Sequence, residues 1–381
     1  MLKIFAAKAI SLRGRGARCF VLLAVALAIC SAGSPQSGEQ SSVQRTFNES
    51  LQRGVSAAQN GNLRAAEEAF HYAVSLRPRD PFALTALGQV EEQLGKYAES
   101  VHTFREVIAI DPASPEAHVN LAITFGDQGN LAAALQEAAA AIKLNPNSSS
   151  AHFLRGRLMS DLEKRDEARS EFRKALQIEP SHAEALRHWA ALEGDAGNFA
   201  AQADLLRRYL LLKPDDANAC FQYGELLDDE HREPEAIAQW RRAVSLNPNY
   251  REAIYRLARA IRKSDPREAQ KLIERASALE RDQQTDDRIR SLGNQANAEM
   301  AESNYTGAID DLRQAIMLCG SCSHLGALEK NLGLAYCHKG ELDSCEHELK
   351  NAQALIPKDS DVAAALQVAT QQRQQALRES R

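Results

Sequence analysis

Aromatic residues make up only 6% of this 381-residue chain, and it holds just 20 glycines and 12 prolines. So small a supply of rings and turn formers argues against a β-rich architecture and against a collagen-like helix. Enzymatic signatures are absent too. There is no glycine-rich phosphate loop ending in Lys-Ser/Thr, no Gly-x-Ser-x-Gly and no His-Glu-x-x-His. The 10 histidines are scattered, and none stands at a usable spacing from a nucleophile. No enzyme, no cofactor, no resident metal and no small-molecule substrate are therefore expected. Charged residues at 25% and hydrophobic residues at 44% exclude a disordered chain. Beyond residue 32, 41 basic residues face 51 acidic ones, a formal charge of −10. So acidic a body argues against nucleic acid as a partner.

The segment 1–32 is different. Lys3, Lys8, Arg13, Arg15 and Arg18 stand without an acid, followed by the apolar run Cys19 to Cys30 and then Ser31-Ala32-Gly33-Ser34-Pro35. Basic, apolar, small and polar segments in that order have the layout of a secretory signal peptide. The run, about twelve residues, falls short of the ~20 that a membrane-spanning helix needs. The expectation is an export signal over 1–32, cleaved after Ala32, giving a periplasmic or secreted protein. An uncleaved signal or a lipid anchor is the alternative, and the only expected route to a membrane. Similarity to a lipobox fails at Ile29, where a small residue would precede the cysteine. Residues 33–46, rich in Gly, Ser, Gln and Glu, are expected to be a disordered linker.

One period organises the remainder of the chain. Pro78, Pro112, Pro146, Pro180, Pro214 and Pro248 recur at a constant spacing of thirty-four. Gly54, Gly88, Ala122, Gly156, Ala190 and Gly224 keep the same spacing, as do Phe70, Phe104, Ala138, Phe172, Leu206 and Trp240. Within 115–148, Pro115 suits the first turn of a helix. Leu121, Ala122 and Phe125 recur at helical spacing, Gly129-Asn130 interrupts, and Leu131 to Leu144 forms a second helix. Pro146 ends it, because proline disfavours helical backbone in the residue before it. Neither helix of such a pair can bury its apolar face alone, so the units must stack.

These positions resemble the tetratricopeptide repeat. The resemblance implies an all-α, right-handed superhelical solenoid of about nine helix-turn-helix units. The units run 47–80, 81–114, 115–148, 149–182, 183–216, 217–250, 251–283, 289–322 and 326–359, with a capping helix and tail over 360–381. The seventh and eighth are degraded, and Gln284-Thr285-Asp286-Asp287-Arg288 reads as a joint between them. Such repeats imply a noncatalytic scaffold that holds protein or peptide segments in a concave groove, here in the bacterial cell envelope. An outer-membrane or pilus assembly and secretion helper is an alternative.

In the family the groove is lined by the second, fifth, ninth and later residues of each unit. The second residue gives Phe82. The fifth gives Leu51, Val119, Phe153, Arg187, Phe221 and Tyr255, and the ninth gives Ile123, Arg157, Glu225 and Arg259. Aromatic and arginine side chains dominate binding hot spots. Phe82, Phe153, Arg157, Phe221, Tyr255 and Arg259 are therefore the candidate partner-binding residues, although neighbouring repeats could cover some of the rings. Chaperone-tail binders of the family pair Lys at the fifth position with Asn at the ninth; Thr85 and Gln89 illustrate that no unit here does.

Cys319, Cys322, Cys337 and Cys345 cluster with His324, His338 and His347 in one short stretch of the chain, which invites a zinc reading. Cys337, however, lies eleven residues along the helix starting near Gly326, about 16 Å at 1.5 Å per residue. Two separate pairs are the better expectation. Cys319 with Cys322, and Cys337 with Cys345, are candidate disulfides in an exported protein. Cys345 is alternatively a small core residue in place of the repeat's packing alanine. A redox or metal-binding role for the cluster is the remaining alternative.

Overall fold

The computed structural model describes residues 38–379, with side chains from 42 to 378, and the expected export signal lies outside that range. Among the described residues there are eighteen helices and no strand. The chain divides into two compact units, the first ending at Pro214 and the second beginning at Asp215.

The first unit is five helical hairpins. They pair α1 (Gly38–Gln59) with α2 (Leu63–Leu76), α3 (Pro81–Gln93) with α4 (Tyr97–Ile110), and α5 (Pro115–Asp127) with α6 (Leu131–Leu144). The last two pair α7 (Ser149–Asp161) with α8 (Arg165–Ile178), and α9 (Ala183–Asp195) with α10 (Phe199–Leu212). Each boundary has a local cause. Asp80, Ser114 and Ser148, at equivalent places in successive repeats, accept the N–H of Ala83, Ala117 and Ala151 and so cap the first helix of their hairpins. Each such cap stabilises a helix by about 1 kcal/mol. The turn inside each hairpin needs a left-handed residue, supplied by Gly95 at φ +76° and Gly129 at φ +84°. Glu163, in the same register, adopts φ +59° without glycine's freedom.

A size match holds each hairpin together. A Cβ added to Gly54 would lie 2.6 Å from the Phe70 ring, and one on Gly88 would lie 2.9 Å from Phe104. Glycine on the first helix therefore makes room for a ring on the second. In the third hairpin both sides are small, Ala122 and Ala138, and in the fifth Ala190 pairs with Leu206; all four are buried. Polar links join successive hairpins as well. Arg169 on α8 donates two hydrogen bonds to Glu193 on α9, at 2.7 and 3.0 Å. Trp189 Nε1 and Asn198 Nδ2 fill the remaining sites on the same carboxylate, at 2.7 and 2.6 Å.

The second unit begins as another such hairpin, α11 (Ala217–Asp229) with α12 (Glu233–Leu246). Next come α13 (Arg251–Ile261) and the 36-residue α14 (Pro266–Ala301), which packs on both α13 and α15 (Tyr305–Cys319). The last hairpin is α16 (Leu325–Lys339) with α17 (Leu342–Leu355), and α18 (Ser360–Glu379) packs against it. Val362 and Ala369 are its buried face, whereas Val368 and Leu377 are exposed.

Two sequence expectations are corrected. Residues 38–46 are not a disordered linker: α1 starts at Gly38, and Phe47 and Leu51 are buried against Phe70, Ala83 and Leu87. That burial also removes Leu51 from the groove-lining set. Nor is there a joint at 284–288. These residues lie within α14, mostly exposed, because the proline of the period is Asp282 in this unit and no glycine or proline interrupts 267–292. The second helix of the 251–283 unit and the first of the 289–322 unit are thus one helix. The break between compact units falls at 214/215 instead.

Candidate functional site

The candidate residues fall into two groups, one in each compact unit. In the first unit, Phe82 follows Pro81 in the opening turn of α3 and is 37% exposed. Phe153 is half-buried on α7. Its ring centroid lies 5.0 Å from that of His182, 5.4 Å from that of His188 and 6.3 Å from that of Phe172. The next repeat therefore supplies much of its packing. His182 caps α9 by accepting the Ala185 N–H at Nδ1, and burial pushes its imidazole below the ordinary value. Both features favour the neutral ring. Arg157, one turn beyond Phe153, places Nη2 3.7 Å from Asp127 Oδ1 at the end of α5. A partner's carboxylate would reach Arg157 in competition with Asp127.

In the second unit, Phe221 on α11 packs against Tyr250, with ring centroids 5.0 Å apart, and the Tyr250 hydroxyl donates to Asn218 at 3.0 Å. Tyr255 on α13 is 37% exposed and donates a 3.3 Å hydrogen bond to Glu280 on α14. Arg259, one turn further on, is exposed and makes no side-chain hydrogen bond or ion pair among the described residues. Glu225 is bridged by Arg256 at 2.7 Å; burial nevertheless pushes its carboxyl above the ordinary value. Tyr250 was missed by sequence reasoning. It stands just before its helix rather than at a groove position, two residues past Pro248, where the chain turns back toward α11.

At the C-terminal end the cysteines pair. Cys319 and Cys322 are joined at the end of α15 with Cα atoms 5.1 Å apart, and Cys337 and Cys345 join α16 to α17 with Cα atoms 5.0 Å apart. Cys220 is a buried free thiol, which burial pushes above its ordinary pKa. Between α16 and α17, Glu329 lies against Glu348. Its Oε2 is buried without a hydrogen-bond partner. Burial, then the Glu348 carboxyl, raise Glu329 from 4.5 to about 7. Protonated, that carboxyl can donate to Glu348. The unfolded chain ionises this group near 4.5 while the folded chain holds its proton, so stability falls as pH rises from about 4.5 to 7. Glu329→Gln is expected to raise the melting temperature at pH 8 and to leave it unchanged at pH 4. Equal shifts at the two pH values would refute the assignment.

Three family models, each described as tetratricopeptide repeat, match residues 51–115, 92–158 and 149–182. No curated protein matches. The chain is similar to several solved structures. YrrB, described as a TPR protein with an unusual peptide-binding site, is 21% identical over 47% of this chain and 93% of its own, at TM-score 0.42. PilF of Pseudomonas aeruginosa is 17% identical over 54% of this chain and 94% of its own, at TM-score 0.47. A tetratricopeptide repeat protein from Parabacteroides merdae is 17% identical over 76% of this chain and 99% of its own, at TM-score 0.42. Tetratricopeptide repeats are thus shown over residues 51–182, and helical hairpins continue past them; such repeats are scaffolds for protein interaction.

Proposed function

We propose that this chain is a noncatalytic scaffold of the bacterial cell envelope that holds extended or helical segments of partner proteins. The observation that carries this reading is the recurrence of aromatic and arginine side chains on four first helices, α3, α7, α11 and α13. Phe82, Phe153 and Arg157 form one group, and Phe221, Tyr255 and Arg259 the other. Half-exposed rings beside guanidinium groups offer apolar area and charge together, the combination found at binding hot spots. Arg259 stands ready to pair with a partner's carboxylate. An envelope location draws support from the signal-like segment 1–32 and from the two disulfides, which persist in oxidising compartments. Among the described residues, no helix is long and apolar enough to cross a membrane.

The test uses substitutions that leave the core intact. Phe82, Tyr255 and Arg259 are exposed, so the combined Phe82→Ala, Tyr255→Ala and Arg259→Ala variant should keep its helical circular dichroism. Affinity capture from the organism's own envelope extract, followed by mass spectrometry, is expected to return a partner with the parent protein. The triple variant should bind that partner at least tenfold more weakly, a loss of about 1.4 kcal/mol or more. Undiminished capture by the variant would remove these residues from the binding surface.

A further inference from the structure

A cluster outside both groups has the composition of a metal site. Glu67 and His71 stand one turn apart on α2, and Glu91 faces them from α3. One ligand atom from each lies within 4.8 Å of the others, and no other trio of His, Cys, Asp or Glu among the described residues comes so close. Two carboxylates and an imidazole are oxygen and nitrogen donors that suit zinc and its first-row neighbours.

The second observation is the state of Glu91. It is 2% exposed. Its Oε2 accepts a hydrogen bond from Thr103 Oγ1 on α4 at 2.8 Å. Its Oε1 takes no hydrogen bond among the described residues; it faces His71 Nε2 at 3.9 Å, beyond hydrogen-bond range. That long contact leaves room for a shorter bond, and a cation between the carboxylate and the imidazole would supply one to each. Glu67 already serves a cation, since Lys96 Nζ lies 2.7 and 2.9 Å from its two oxygens. The lysine is thus an internal competitor for the same negative charge. His71 is 57% exposed at its side chain, so its ring can turn inward without disturbing the core. Zinc bonds of about 2.0–2.2 Å would draw the three atoms together and leave a fourth position for water.

We propose that Glu67, His71 and Glu91 form a binding site for a divalent first-row transition cation, zinc above all, that ties the first hairpin to the second. Because α2 and α3 belong to different repeats, the ion acts as a clamp between them and not within either one.

The test is a calorimetric titration of zinc into the oxidised full chain with both disulfides intact and Cys19 and Cys30 replaced by Ser, so that Cys220, which is buried, is the one remaining thiol. One zinc per chain is expected. His71→Ala and Glu91→Gln should each weaken binding by at least about tenfold, as loss of even an outer partner does at zinc sites. Lys96→Met should tighten it, because the competing ammonium is gone. Zinc should also raise the melting temperature of the parent protein but not that of His71→Ala. His71 is exposed, so this variant should fold normally. Glu91→Gln keeps an oxygen for Thr103, and circular dichroism checks its fold. Absence of zinc binding to the parent, undiminished binding in His71→Ala, or weaker binding in Lys96→Met would each overturn the proposal.

Discussion

Replacing Trp240 with alanine is expected to lower the stability of the unit that begins at Asp215 by about 3–5 kcal/mol. Trp240 is 1% exposed. It lies over Gly224, where an added Cβ would stand 2.6 Å from Nε1. The same closeness makes Gly224→Ala destabilising, by about 1–3 kcal/mol, because the indole has nowhere to retreat in a packed hairpin. The two positions are one fitted pair, so their effects should not add. Combining Gly224→Ala with Trp240→Leu recreates the arrangement that Ala190 and Leu206 already form in the fifth hairpin, both buried. That double variant should recover much of the loss from Gly224→Ala. Denaturant melts followed by far-ultraviolet circular dichroism would read all of these. Strict additivity would show that 224 and 240 do not share a contact.

Arg169→Ala is expected to cost the 38–214 unit about 3 kcal/mol, as breaking a buried ion pair by removing one partner does. Burial alone would push the Glu193 carboxyl up, but hydrogen bonds from Arg169, Asn198 and Trp189 outweigh it and hold the group below its ordinary 4.5. Glu193 therefore contributes stability above that ordinary value and loses it as pH falls through its depressed folded value. In Arg169→Ala the carboxylate stays 5% exposed without its cation. The loss in urea melts should be large at pH 7 and shrink toward pH 3. Replacing Arg169 and Glu193 together with Met and Gln should cost less than the single change, because no unpaired charge remains and the amide oxygen still accepts a hydrogen bond from Trp189 or Asn198. A double variant as unstable as Arg169→Ala would show that packing, not charge, is at stake.

The repeat architecture was legible because each repeat states its rules locally. Prolines follow the second helices, Asp or Ser caps four of the first ones, and in four hairpins glycine faces a ring at fixed spacing. Where a rule lapsed, reading by period failed. Asp282 in the proline's place let α14 run through the supposed joint. The linker was misjudged for a different reason: its polar composition hid Phe47 and Leu51 just beyond, whose burial draws α1 onto α2 and α3. Groove residues were only partly legible. A position number tells which helix face a side chain occupies, but not whether Asp127 pairs with Arg157 or whether His182 and His188 crowd Phe153. The Glu67, His71 and Glu91 trio shows only its first half in sequence, as an i, i+4 pair. Glu91 joins it through the packing of α3 on α2, which spacing along the chain does not reveal.

The unbroken α14 bears on how such a chain can change over generations. Through residue 250 one repeat is a module, and duplicating or deleting one copy leaves each neighbour facing an equivalent surface. Inside α14 there is no such module. Its N-terminal part buries Ala269 and Ala276 and its C-terminal part Ile289, Leu292 and Ala296, all on one rigid rod. Because a helix turns about 100° per residue, an insertion or deletion between 277 and 288 would rotate one buried set away from its neighbours. Length variation among descendants of this chain should therefore accumulate in whole repeats before Arg251 and be excluded from the middle of α14.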